Sequence, residues 1–159
     1  ALIQFTSHGV PMLWEGQEWL RINPAQVHDY QRNMLDWAGL ARNKPLMEFY
    51  RRMIALRKKH SALRSARQEP DGFFEFIHPE HPHALGYILN ANDTYADQPR
   101  FMVLVNPGRT DAKFTLRGGA WALRADQRGF LRAPATLHGT VSVPAGCGWL
   151  LTQPPRAAR

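Results

Sequence analysis

The chain has 159 residues, 44% hydrophobic and 21% charged, with a net charge of +7. That composition suffices for one or two cored domains, and no apolar run approaches the ~20 residues needed to cross a bilayer. The basic excess would suit an anionic partner, but Arg and Lys are scattered and do not alternate with aromatics along a strand, so neither nucleic acid nor a membrane is an expected partner.

Residues 1–6 have the look of a helix end, closed by Ser7, His8 and Gly9. Residues 10–14, Val-Pro-Met-Leu-Trp, are apolar throughout, as in a strand covered on both faces, with proline tolerated near the start. Gly16 breaks the run, and residues 17–20 allow one helical turn. Acidic and amide side chains (Glu15, Gln17, Glu18) therefore stand just past the C-terminal end of the expected strand. In parallel α/β folds, ligands bind at that end. Residues 21–42 have no sustained period and carry Asn23-Pro24, which predicts a long irregular loop of the functional kind.

Asn43 is placed to cap a strong helix with Pro45 in its first turn. Leu46, Phe49, Tyr50, Met53, Ile54 and Leu56 recur at steps of three and four and form one apolar stripe. Glu48, Arg51, Arg52, Lys58 and Lys59 take the other face, and the cations crowding the C-terminal turn read as a solvated helix end that suits the dipole. From Asp71 the period becomes two. Seven strands are expected, at 72–77, 84–89, 100–105, 112–116, 120–125, 140–143 and 148–152. Turn signals such as Asn106-Pro107-Gly108 and Gly118-Gly119 lie between them. Strands at this spacing with no helix between them indicate an antiparallel sandwich. Residues 154–159 read as a disordered tail.

Several chemistry-bearing residues have plain structural readings. Cys147 is alone, cannot form an internal disulfide, and reads as a small buried hydrophobe. His78, Glu80, His81 and His83 are metal-ligand types, but Pro79 and Pro82 make their segment an extended connection, and no metal is expected. His28-Asp29 and Arg124-Ala125-Asp126 are chance pairings. Trp121, Trp149 or Phe130 could form the platform of a non-catalytic carbohydrate-binding sandwich, an alternative from a different functional class.

The residues Phe5-Thr6-Ser7-x-Gly9-Val10-Pro11-Met12-x-x-x-Gly16-x-Glu18 resemble the eighth-strand motif of the α-amylase family of glycoside hydrolases. Leu35-Asp36-Trp37 is similar to the Ile/Leu-Asp-Trp of its debranching members, the pullulanases, isoamylases and glycogen debranchers. The run from Tyr50 to Arg57 matches the Tyr-x-x-x-Ile-x-Leu-Arg of the last barrel helix. The resemblance implies an α+β chain: the last β/α unit of a (β/α)8 TIM barrel in residues 1–65, then a C-terminal antiparallel sandwich in residues 66–153. It also implies a parent acting on α-glucans or maltooligosaccharides, whose catalytic carboxylates precede Ala1, leaving this chain inactive without the N-terminal remainder of the barrel.

No catalytic residue and no cofactor are expected in the chain itself. Trp14, Glu15, Gln17, Glu18, Asp29 and Asn33 are the candidate substrate contacts, with an architectural role set beside the sugar-binding one for Glu18. The loop departs from the debranching pattern: Ile22-Asn23-Pro24-Ala25-Gln26 replaces an Asn-rich stretch, and Asp29-Tyr30-Gln31-Arg32-Asn33 replaces an acidic pair. Bond specificity, and hydrolysis as against transfer, therefore stay open.

Overall fold

A computed structural model describes residues 1–21, 34–65 and 68–155. Helix α1 (Leu2–Thr6) leads to a 3-10 turn at Gln17–Trp19, then α2 (Trp37–Arg42), α3 (Lys44–Lys59) and a second 3-10 turn at Ser61–Leu63. Eight strands follow: β1 (Phe74–Ile77), β2 (Leu85–Leu89), β3 (Arg100–Asn106), β4 (Ala112–Thr115), β5 (Trp121–Asp126), β6 (Gly129–Leu137), β7 (Thr140–Val143) and β8 (Cys147–Gln153). The chain is thus mostly antiparallel sheet with few helices.

Six strands form one sheet in the order β1-β2-β3-β8-β5-β6, and β4 pairs with β7 in a second. Because side chains alternate across a strand, β3 feeds both faces of the large sheet. Phe101 and Val103 join Leu89, Leu150, Tyr50, Met53 and Phe5 beneath the helices. Met102 and Leu104 join Leu151, Phe114, Trp121 and Val143 beneath the small sheet. The register Met102↔Leu151 and Val103↔Leu150 keeps both sets aligned. The result is three layers: helices, six strands and two strands. Asn106, fully buried, ties the end of β3 to its neighbours by donating from Nδ2 to the carbonyls of Thr110 (2.8 Å) and Val143 (2.9 Å).

Four local expectations are corrected. Residues 10–14 form no strand and pair in no ladder among the described residues; apolarity favours burial, but a strand also needs a neighbouring edge. Within the expected loop, Trp37–Arg42 is helical, because Asp36 Oδ1 accepts from the Gly39 amide (3.1 Å) as an N-cap. Asn43 does not cap α3 with its side chain; its Nδ2 donates to the Trp19 carbonyl at 2.9 Å. β6 was not foreseen, since its residues are largely exposed and include Pro134. It is an edge strand paired only to β5, where proline and polar side chains are tolerated.

The stripe on α3 is also shifted. Tyr50 and Met53 are buried and Leu46, Phe49 and Leu56 partly so, whereas Ile54 is 36% exposed and Arg57 only 6% exposed. Arg57 is thus buried beside the exposed cations Lys58 and Lys59 of the helix end. Its position, four residues after Met53 and seven after Tyr50, continues the inward stripe. Residues 156–159, most of the expected tail, lie outside the described residues.

Candidate functional site

The described candidate contacts gather on one tight turn. Gly16 sits at φ +82°, and a Cβ there would lie 2.8 Å from Arg21 Cβ, so the turn needs glycine both for conformation and for space. The Gly16 carbonyl accepts from the amides of Trp19 (3.1 Å) and Arg21 (2.9 Å), closing residues 16–21 on themselves. Leu20 takes φ +62° at the end of the turn.

Gln17 holds this turn to α1. Its Oε1 accepts from the Trp14 amide at 3.3 Å, and its Nε2 donates to Gln4 Oε1 at 3.4 Å. Gln4 Nε2 in turn donates to the Met12 carbonyl. Glu15 is largely exposed and pairs with Arg21 Nη1 at 2.9 Å, the Arg21 side chain being the buried partner at 6% exposure. Glu15 is thus the exposed partner of the pair, and Arg21 packs against Gly16.

The Glu18 Oε2 and Trp19 Nε1 atoms are buried and, among the described residues, have no hydrogen-bond partner. Unpaired buried polar atoms cost free energy, so this end of the turn is poised for a donor and an acceptor from elsewhere. Trp19 lies against Trp37, with ring centroids 5.6 Å apart and planes inclined by 31°. The nearby Tyr50 phenol is pushed above its usual range by burial first; the Gln17 hydrogen bond counteracts this, and the Glu18 charge adds to it.

Trp14 is 56% exposed and Gln17 half-buried, so Trp14, Glu15 and Gln17 can be reached from solvent on one side of the turn. An indole face beside a carboxylate and an amide suits stacking on, and hydrogen bonding to, a polyhydroxylated ring. Asp29 and Asn33, like the His28-Asp29 pair, lie outside the described residues. Gln4, Arg21 and Tyr50 take part in the site, yet the sequence offered no periodicity that singled out Gln4 or Arg21.

The remaining candidates have structural partners. Arg124 Nε donates to Thr152 Oγ1 (2.7 Å), and Asp126 Oδ1 accepts from the Arg128 amide (2.8 Å) in the β5–β6 turn. Trp121 is 1% exposed and donates Nε1–H to the Arg117 carbonyl, so no face of its ring is open as a platform. Phe130 packs on Phe49 with the Arg52 guanidinium 5.9 Å from its ring, and Trp149, half-buried, donates to Gln127 Oε1 at 3.2 Å. His81 shares a hydrogen bond with Thr110 Oγ1 (3.1 Å), and its ring lies 6.0 Å from that of His83. Among the described residues no three His, Cys, Asp or Glu side chains converge as metal ligands, and no helix is long and apolar enough to cross a membrane.

No family model matches the chain. Two curated proteins and many solved structures do. The chain is similar to the C-terminal part of α-amylase-family enzymes, as its motifs implied. Among them are a Bacillus subtilis pullulanase, 29% identical over 150 residues (90% of this chain, 21% of that protein), and α-amylase 2 of Dictyoglomus thermophilum, 24% identical over 102 residues (58% and 18%). The structure of the Bacillus subtilis pullulanase complexed with maltose superposes with a TM-score of 0.84 at 26% identity, covering 96% of this chain and 22% of that one. The pullulanase of Bacillus acidopullulyticus gives 0.79 at 26% identity, covering 96% and 19%. The chain thus spans about a fifth of the length of the curated relatives it matches.

Proposed function

We infer that this chain serves as the C-terminal part of an α-glucan-active glycoside hydrolase. In this reading residues 10–14 are the eighth strand of a (β/α)8 barrel, α3 is its last helix, and the β layers cover the barrel's flank. The two carboxyl groups that cleave or transfer a glucosidic bond belong to the preceding part of the barrel, and this chain alone is inactive. Trp14, Glu15 and Gln17 meet the sugar at the rim, whereas Glu18 takes the structural role of receiving a donor from the barrel.

One observation carries this reading. Pro11 and Leu13 line an apolar depression of about 300 Å3 with Phe5, Ile54 and the stems of Arg57 and Lys58. The alternate residues Val10, Met12 and Trp14 are 90%, 76% and 56% exposed. Pro11 is half-buried and Leu13 38% exposed, so the segment is less exposed on the residues that border α3 and wide open on the alternate ones, as suits a strand whose other apolar face a partner covers. Similarity to pullulanases over nearly the whole chain supports a barrel as that partner.

The test is complementation. The chain is mixed with a pullulanase lacking its own C-terminal fifth, and release of reducing sugar from pullulan and starch is followed. Activity from the mixture, with none from either part and no maltoheptaose binding to the chain alone by calorimetry, is the expected result. Glucan hydrolysis by the purified chain alone would overturn the reading.

A further inference from the structure

Arg57 is a buried cation that pairs with no carboxylate among the described residues. Its fork is used on the main chain. Nη1 donates to the carbonyls of Phe5 (2.8 Å) and Ser7 (2.9 Å), and Nη2 donates to that of Gly9 (2.5 Å). These are alternate residues where the chain leaves α1: Ser7 is already extended (φ −82°, ψ 158°), and Gly9 turns at φ +86°. Burial pulls the guanidinium below its ordinary value, but arginine stays charged in proteins, so three carbonyl dipoles stand in for a counter-ion.

Around the same bend, Thr6 Oγ1 shares a buried 2.6 Å hydrogen bond with the Tyr87 hydroxyl of β2. His8 lies 4.7 Å from the ring of Phe74. Arg57 also lines, together with Pro11 and Leu13, the apolar depression described above. From α3, then, one side chain grips the exit from α1 and borders the depression that Pro11 and Leu13 also line.

We propose that Arg57 is a positioning residue: its three-carbonyl grip sets the direction in which residues 10–14 leave α1 and so places the turn bearing Trp14, Glu15 and Gln17. That this turn meets a sugar rests on the functional reading above; the grip does not, and its test uses no glucan. Failure of complementation would therefore leave this proposal standing, and the reverse also holds. A lysine at this position keeps the charge but offers a single nitrogen, which cannot span carbonyls belonging to three residues along a changing chain direction.

The experiment labels the five tryptophans with 5-fluorotryptophan and follows 19F NMR and amide exchange in the wild type, Arg57→Lys and Arg57→Ala. Both variants are expected to move or broaden the Trp14 signal and to speed exchange at Ser7 and Gly9 roughly tenfold or more. Trp121, and the amides of Leu104 and Leu150, should be unchanged. Millimolar guanidinium, far below denaturing concentrations, should restore the Trp14 signal in Arg57→Ala and not alter it in the wild type. An Arg57→Lys protein identical to wild type at Trp14, Ser7 and Gly9 overturns the proposal. So does loss of protection in β3 and β8 in both variants, which would make Arg57 a general support of the fold.

Discussion

Two apolar stretches of this chain meet opposite fates. Phe101, Met102, Val103 and Leu104 of β3 are all 0% exposed, whereas Val10 and Met12 stand 90% and 76% in solvent. Hydrophobicity does not separate them. β3 has β2 on one side and β8 on the other, a helix layer above and a small sheet below. Among the described residues, 10–14 pair in no ladder, and only Pro11 and Leu13 border α3 across a depression. The contrast teaches that a buried strand is a property of its neighbours as much as of its sequence, and that an apolar segment left open marks where a neighbour belongs.

The sharpest way to break the comparison is to damage the satisfied side. Trp121→Ala removes a fully buried indole and its 2.7 Å bond to the Arg117 carbonyl, and should lower stability by about 3–5 kcal/mol in urea unfolding. A loss near zero would mean that the layer under the small sheet is not a core. Next in size is Tyr87→Phe, at the seam of α1 and the sheet. Thr6 Oγ1 keeps its 2.8 Å bond to the Leu2 carbonyl, so the expected loss is about 1 kcal/mol, with exchange rising in α1 before β3.

A smaller effect depends on pH. His60, at the end of α3, is held below its ordinary 6.5, chiefly by burial, with Lys59 and Arg124 adding to the shift and the Gln98 hydrogen bond opposing it. The unfolded chain therefore binds this proton more readily than the folded one. The contribution of His60 to stability is complete above pH 6.5 and declines as pH falls from there through the lowered folded value. Urea midpoints measured across that interval should fall with acidity, and His60→Gln should flatten the slope; an equal slope in the variant would assign the effect elsewhere.

The smallest effect sharpens the open side. Met12→Gln should change the stability of the chain alone by no more than about 0.5 kcal/mol, because the side chain is 76% exposed. The same substitution should strongly impair complementation of the truncated pullulanase. Equal activity with and without it would show that this face is not buried by a partner.

Much of this was legible in the residues. The step of three and four in α3, the alternation in β4 and the continuous apolar runs in β2, β3 and β8 mark the surfaces that the layers bury, and Gly16 followed by Glu18 marks the turn. Other features left weaker traces. β6 is exposed and interrupted by Pro134, so its alternation carries no hydrophobic signal. Asp36 caps a helix in a stretch whose period is too short to register. The grouping of Gln4 and Arg21 with the turn depends on contacts between separate elements.

The sequence by itself determined which segments can be helix or strand, because the periods of 3.6 and two are written in apolar spacing, and it carried the α-amylase-family likeness in its motifs. Only the tertiary structure decided that Arg57 lies inside and that residues 10–14 pair with no strand among the described residues. Burial of a cation and pairing of a strand both depend on groups distant along the chain: three carbonyls some fifty residues away in one case, a neighbouring strand edge in the other.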